Sequence, residues 1–252
     1  MRIVSWNCCR GPCLVRAAQL AGLEPDIVVL QECARPEGAA GGPVRWFGEN
    51  AQQGVAVIAR DGYQLVDVAP AADMPDSVFA VRVVGPVSFA LLAVWTHPLP
   101  TYVGALDRGL SAYGDLLRGG PAVVMGDFNS HWRFDKPGQS LTHAATVERL
   151  RRDFGLVSAY HAAHPDVEFG AEPATLYWQW RETQPFHIDY CFLPQHWVPH
   201  VRSATVGSYA QWEGESDHRP LLVDIDVPDG RPTERVSRPT RTKPASGPTD
   251  LR

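Results

Sequence analysis

Four short apolar runs in this chain end abruptly on side chains able to bind a cation or move a proton, and a fifth begins on such a group. Arg2-Ile3-Val4-Ser5 runs into Trp6-Asn7, and Asp26-Ile27-Val28-Val29-Leu30 into Gln31-Glu32. Leu91-Leu92-Ala93-Val94-Trp95 runs into Thr96-His97, and Ala122-Val123-Val124-Met125 into Gly126-Asp127-Phe128-Asn129. Ser216-Asp217-His218 then leads into Arg219-Pro220-Leu221-Leu222-Val223, and His187-Ile188-Asp189-Tyr190 sits inside one more strand-like run. Continuous aliphatic runs of this length, bounded by turn residues, read as buried strands. In α/β sheets ligands gather beyond strand ends, where polar side chains converge without being stranded in the core. One Asp-x-Asn is an ordinary turn, but this repetition constrains the chain to bring several strand ends to one place.

The rest of the pattern fills in around these runs. Arg2–Cys8 and Asp26–Glu32 are strands, with a helix between them over about Pro12–Ala21, Pro12 near its first turn and Gly22 past its end. Val55–Arg60, Gln64–Val68, Val78–Val84 and Ser88–Trp95 follow at spacings typical of antiparallel structure. Leu106, Leu110, Tyr113 and Leu117 fall at helical spacing, which predicts one helix over Tyr102–Arg118. Pro121–Met125 is the next strand. A further helix is expected over His143–Phe154, capped by Thr142 and stopped by Gly155. His187–Leu193, Val201–Val206 and Arg219–Val227 complete the strands. Two β-rich halves with helices outside suggest packed sheets in an α/β sandwich.

The 252 residues suffice for one large domain, expected over 1–227. Gly38–Pro43 reads as a flexible loop, and 228–252 as a disordered basic tail rich in Pro, Arg, Thr and Ser. The net charge is −5, but the tail carries six Lys/Arg against three Asp/Glu, so the body stands at −8. That balance argues against tight non-specific binding to duplex DNA, which needs several cations facing phosphates. It leaves room for a metal-dependent enzyme, because carboxylates that hold a cation read as negative only while the cation is ignored. Cys8, Cys9, Cys13, Cys33 and Cys191 follow no zinc spacing and read as reduced, packed thiols. No leader and no membrane-length apolar run is evident, so a cytoplasmic monomer is the expectation.

In order and spacing, these strand-end groups resemble the endonuclease/exonuclease/phosphatase superfamily, which includes deoxyribonuclease I, exonuclease III, deadenylases and sphingomyelinases. The resemblance runs from about Arg2 to Val227. It implies a four-layered αββα sandwich of two mostly antiparallel sheets, and a divalent cation, Mg2+ or Mn2+, as cofactor. By the same resemblance Glu32 is the principal metal ligand, joined by Asp217, and Asn7 supports the metal or a phosphate oxygen. Cys9 stands where many relatives carry a second Asn or Asp, so the resemblance does not extend to a second metal position.

In-line hydrolysis of a phosphodiester needs an oriented water, charge neutralisation on the phosphoryl oxygens and a stabilised leaving group. Asp127 is placed to orient or deprotonate the water, and Asn129 to hold it or to donate to a phosphoryl oxygen. His218 serves as general base or phosphate clamp. Asp189, alternating inward with His187, fixes its tautomer, as the superfamily's Ser-Asp-His histidine is fixed. His97 matches the histidine of the deoxyribonuclease I-like and sphingomyelinase-like branches, where exonuclease III-like enzymes tend to place a tyrosine.

Trp178, Trp180 and Arg181 follow Thr175-Leu176-Tyr177 and are the candidate substrate contacts. Strand alternation would put both tryptophans on one face, opposite Tyr177 and Gln179, although a tryptophan pair also reads as core. His187 replaces a frequent Arg of relatives, and the Trp-x-Asp-Arg signature of inositol-polyphosphate phosphatases is missing. Trp132, Arg133 and Lys136 follow Asn129 in a loop that either lines the groove or is simply solvated. The leading reading is a nuclease acting on DNA or RNA. The alternatives are a phosphatase or phosphodiesterase for a small-molecule or lipid phosphoester, favoured by the acidic body and the two lysines, and an inactive interaction module.

Overall fold

A computed structural model describes residues 1–37, 43–60, 62–69, 78–98 and 100–226. Its strands in chain order are β1 (Arg2–Asn7), β2 (Ile27–Cys33), β3 (Val44–Asn50), β4 (Gln53–Ala59), β5 (Gln64–Asp67), β6 (Val78–Val84) and β7 (Phe89–Trp95). There follow β8 (Ala122–Asp127), β9 (Leu156–Ser158), β10 (Leu176–Tyr177), β11 (Pro185–Phe186), β12 (Asp189–Pro194), β13 (Val201–Val206) and β14 (Leu221–Ile225). The helices are α1 (Cys13–Gln19), α2 (Tyr102–Ala112), α3 (Gly114–Arg118), α4 (His143–Phe154), α5 (Ala159–Ala163) and α6 (Tyr209–Trp212). None of the helices described is long and apolar enough to cross a membrane. The expected tail, and the expected loop apart from Pro43, lie outside the described residues.

Two six-stranded sheets, in the orders β13-β14-β1-β2-β4-β3 and β5-β6-β7-β8-β12-β9, pack face to face. Most pairings are antiparallel, whereas β1/β2 and β7/β8 are parallel. Because successive strand residues point to opposite faces, each buried run serves two cores. Ile3, Val29, Leu91 and Val123 meet between the sheets. Val4, Val28 and Leu30 turn outward under α1 and Trp212, and Leu92 and Val124 turn outward under Leu106, Leu110, Leu117 and Leu150 of α2, α3 and α4. The result is the four-layered αββα sandwich expected from sequence.

Several local expectations change. The helix expected over Tyr102–Arg118 breaks at Tyr113 (φ −100°, ψ 15°), a buried ring whose backbone closes α2 while Gly114 opens α3. Strand β3, the short β9 and helix α5 were not foreseen: β3 mixes apolar and polar residues without a regular period, and β9 and α5 follow directly on the stop of α4. Both ends of α4 behave as expected, with Thr142 Oγ1 accepting from Ala145 N at its start and Gly155 left-handed at φ 64° at its stop.

The parallel pair β7/β8 sets the level of the strand ends. Gly126 has φ 146°, and a Cβ there would stand 1.9 Å from the Val94 carbonyl oxygen, so no side chain fits between the two backbones. Gly126→Ala is therefore expected to cost about 3 kcal/mol or more in chemical denaturation. A loss below about 1 kcal/mol would show that the strands can part freely.

Candidate active site

The C-terminal ends of β1, β2 and β8 place Asn7, Glu32 and Asp127 on one edge of the sandwich. Asn7 joins the two sheets there: its Nδ2 donates to Glu32 Oε1 at 3.1 Å within its own sheet and to Asp127 Oδ2 at 3.0 Å across the gap. Glu32 lies where the β2/β4 register shifts between Leu30 and Cys33, and its φ is 63°. A bulge of this kind re-aims one side chain at the end of an otherwise regular strand. The second carboxylate oxygen of Glu32 accepts from Gln53 Nε2 at 3.0 Å. Neutral amides thus orient this carboxylate without cancelling its charge.

Asp127 faces Asp189 directly in the antiparallel β8/β12 register. Both are buried. Asn129, left-handed at φ 46°, donates its backbone N–H to Asp127 Oδ1 (2.8 Å) and its Nδ2 to Asp127 Oδ2 (3.1 Å) and Thr96 O (3.2 Å). The His218 ring completes the group. Its Nδ1 contacts Asp189 Oδ2 at 2.8 Å, and its Nε2 lies 3.9 Å from Asp127 Oδ2. An Nδ1–H donated to Asp189 aims Nε2 at the space beside Asp127. Thr175 Oγ1 holds the start of β12 by accepting from the Ile188 and Asp189 amides, each at 3.0 Å.

Asp217 lies on the loop before β14, anchored by Ser216, whose Oγ donates to Asn7 O (2.7 Å) and accepts from His218 N (3.0 Å). Cys9 packs between Asp217 and Glu32, and burial together with these two charges pushes its thiol up to about 11. It therefore adds no negative charge at neutral pH. Glu32, Asp217, Asn7 and Asp127 present hard oxygen donors of the kind a small divalent cation takes. The tightest set of ligand atoms among the described residues, within 4.8 Å of one another, is instead Asp127, Asp189 and His218. An ion there would compete with the 2.8 Å His218–Asp189 hydrogen bond. Asp189 Oδ1, buried without a hydrogen-bond partner among the described residues, adds to the uncompensated negative charge.

His97 stands at the margin, half-buried two residues past the end of β7, its ring centroid 4.1 Å from that of Trp95. The expected alternation of His187 with Asp189 toward His218 is corrected. His187 precedes β12, is buried, and donates Nδ1–H to Pro173 O at 2.7 Å, away from the dyad. The expected strand through Trp178 and Trp180 is also corrected. It ends at Tyr177, and a tight turn with Gln179 at φ 52° and Trp180 at φ 62° joins β10 to β11. The backbone bonds Trp178 N to Gln184 O and Gln184 N to Arg181 O close this hairpin. Both indoles are about half exposed, at 53% and 46%, so neither is core, and Arg181 is exposed beside them. Sequence reading missed Gln53, for which no signal exists, and underused Trp6, whose Nε1 donates to His218 O at 3.2 Å.

The family model described as Endonuclease/Exonuclease/phosphatase family matches residues 4–218, and the chain belongs to that family. It is accordingly a hydrolase of phosphoester bonds. A 3′-5′ exonuclease (NExo) from Neisseria meningitidis is similar in structure, with a TM-score of 0.65 at 21% identity over 90% of this chain and 100% of the other. An AP endonuclease from Archaeoglobus fulgidus aligns with a TM-score of 0.63 at 17% identity, again over 90% and 100%. No curated protein sequence matches the chain.

Burial alone would lower the His218 pKa, but the charge and hydrogen bond of Asp189, then the charges of Asp127 and Asp217, outweigh it and push His218 up to about 10. Asp127 is shifted upward by burial and by Asp189, against the pull of His218. In the unfolded chain His218 titrates near its ordinary value of about 6.5. Its stabilisation is thus fully present below about pH 6.5 and is lost as pH rises through about 10. Thermal melts of metal-free protein are expected to show the parent losing its advantage over His218→Gln between about pH 7 and pH 10. A constant gap across that window would contradict the pairing.

Proposed function

We propose that this chain is a divalent-metal-dependent phosphodiester hydrolase, a nuclease acting on DNA or RNA, with Mg2+ or Mn2+ held by Glu32, Asp217 and Asn7. The observation that carries the reading is the unbroken line of contacts from Glu32 through Asn7 and Asp127 to the His218–Asp189 pair. When bound, the cation supplies Lewis-acid polarisation of a phosphoryl oxygen and neutralises charge there.

The chain's own residues do the rest. Asp127, whose carboxyl favours its protonated form more than an exposed one, orients the attacking water and accepts its proton at Oδ2. Asn129 steadies Asp127 through its backbone N–H and its side-chain amide. His218, held cationic by Asp189 across the neutral range, clamps a second phosphoryl oxygen with Nε2–H, and so acts as an electrophile in preference to a base. His97 protonates the departing oxygen. Trp178, Trp180 and Arg181 offer stacking faces and a cation to the nucleic acid. A Neisseria structure described as a 3′ phosphatase bound to product DNA hairpin, with a TM-score of 0.63 at 21% identity, supports a nucleic-acid substrate for this fold.

The acidic body and the two lysines favour a second reading, a small phosphoester substrate. Supercoiled plasmid, single-stranded DNA, RNA and a chromogenic bis-phosphodiester assayed side by side with Mg2+ separate the two. Cleavage of the small ester alone selects the second.

Glu32→Gln and Asp127→Asn are each expected to lower kcat by roughly 10²–10³ or more, and unchanged turnover in either would remove the reading. Trp178→Ala is expected to raise KM for single-stranded nucleic acid by roughly tenfold and to leave the chromogenic ester unaffected. An equal effect on both substrates would place the indole outside the substrate path.

A further inference from the structure

Arg219 is buried, with 1% of its surface exposed, although it carries a permanent charge. Its guanidinium lies 4.7 Å from the centroids of both Tyr177 and Tyr209, two rings that meet edge to face with centroids 4.6 Å apart, so it rests against the pair from one side. Its hydrogen-bond acceptors are backbone carbonyls: Nη1 donates to Ser216 O at 2.7 Å and to His218 O at 3.2 Å, while Nε has no partner among the described residues. Burying a cation this way is expensive, and an apolar residue would fill the same space at lower cost. The two carbonyls it takes bracket Asp217. The carbonyl between them accepts from Tyr177 N at 2.8 Å, and Arg219 N donates to Thr175 O at 2.6 Å.

We infer that Arg219 is a positioning residue: its guanidinium, packed against Tyr177 and Tyr209, fixes the backbone of residues 216–218 and with it the placement of Asp217 and of the His218 ring that faces Asp127. Nη1 alone reaches both carbonyls while the rest of the planar group stays against the ring pair. A lysine ammonium offers no plane to the rings and cannot hold the same geometry. Because Thr175 precedes β10 and Tyr177 ends it, the same residue ties the metal-side loop to the hairpin that carries Trp178 and Trp180. It touches no reacting atom. This inference rests on the metal reading above only for its second readout.

The test uses the full chain as the parent, Arg219→Lys and Arg219→Met, with Glu32→Gln as the control for metal binding. In metal-free protein, hydrogen exchange of the peptide covering 214–221 is expected to quicken at least severalfold in Arg219→Lys, with the strands of both sheets unchanged. Mn2+ affinity, measured by titration calorimetry, is expected to weaken about tenfold or more, as for other residues that orient metal ligands. Excess Mn2+ restores kcat, and KM for the nucleic acid stays within twofold of the parent.

Unchanged exchange in a folded Arg219→Lys overturns the inference whatever happens to the metal. Faster exchange with parental Mn2+ affinity overturns it as well, since the hold on the loop would then not serve Asp217. A parent that binds no Mn2+, with Glu32→Gln no different, refutes the metal reading itself, and exchange alone then decides the role of Arg219. Should neither Arg219 variant fold, Tyr209→Leu removes one ring of the pair that packs on the guanidinium and carries the same readouts in the same direction.

Discussion

The architecture of this protein is organised around a repulsion. Asp127 and Asp189 face one another across β8 and β12 in a site almost without solvent, with Asp217 and Glu32 close by. Left alone, such carboxylates would protonate or drive the strands apart. His218 relieves part of the strain by pairing with Asp189 and facing Asp127, and the amides of Asn7, Asn129 and Gln53 occupy further oxygens. The remaining excess of negative charge is the feature on which the proposed cation site rests.

Holding like charges together requires a frame that does not yield. Two sheets share a continuous apolar core, and each has a second apolar face under helices, so the strand ends cannot shift separately. Local backbone strain gathers at the functional edge, with Glu24, before the start of β2, as an exception. Glu32, Asn129 and Cys9 all have positive φ, and so do Gln179 and Trp180 in the exposed hairpin turn. Non-glycine residues adopt this conformation only where the surroundings over-determine it. The rigid part of the edge is thus built from strand ends and bulges, and the part that offers aromatic surface is a short hairpin tied to it through Tyr177 and Arg219.

Much of this was legible in the order of residues because the chemistry sits at the ends of uninterrupted apolar runs. The buried strands β1, β2, β7 and β8 have no other reading, and each delivers its polar residue to the same edge. His218 and Asp189 were paired from family resemblance, and the structure places them in contact. What escaped depended on tertiary context. The break at Tyr113 answers to packing rather than to a helix-breaking residue, and β3 carries no regular alternation. The tryptophan hairpin looked like a strand because period two continues through Trp178 and Trp180. Only the left-handed backbone at Gln179 and Trp180 ends it, and neither glutamine nor tryptophan advertises that conformation. Arg219 was visible as a letter beside the Ser-Asp-His run, but its burial against two rings from distant segments was not.

The most direct measurement is the anomalous scattering of crystals of the full chain soaked in Mn2+. The account predicts a manganese peak coordinated by Glu32 and Asp217 with Asn7 beside it, and the His218–Asp189 contact preserved. A peak lodged instead among Asp127, Asp189 and His218 with that contact broken, or no ordered ion on this edge at all, would contradict it.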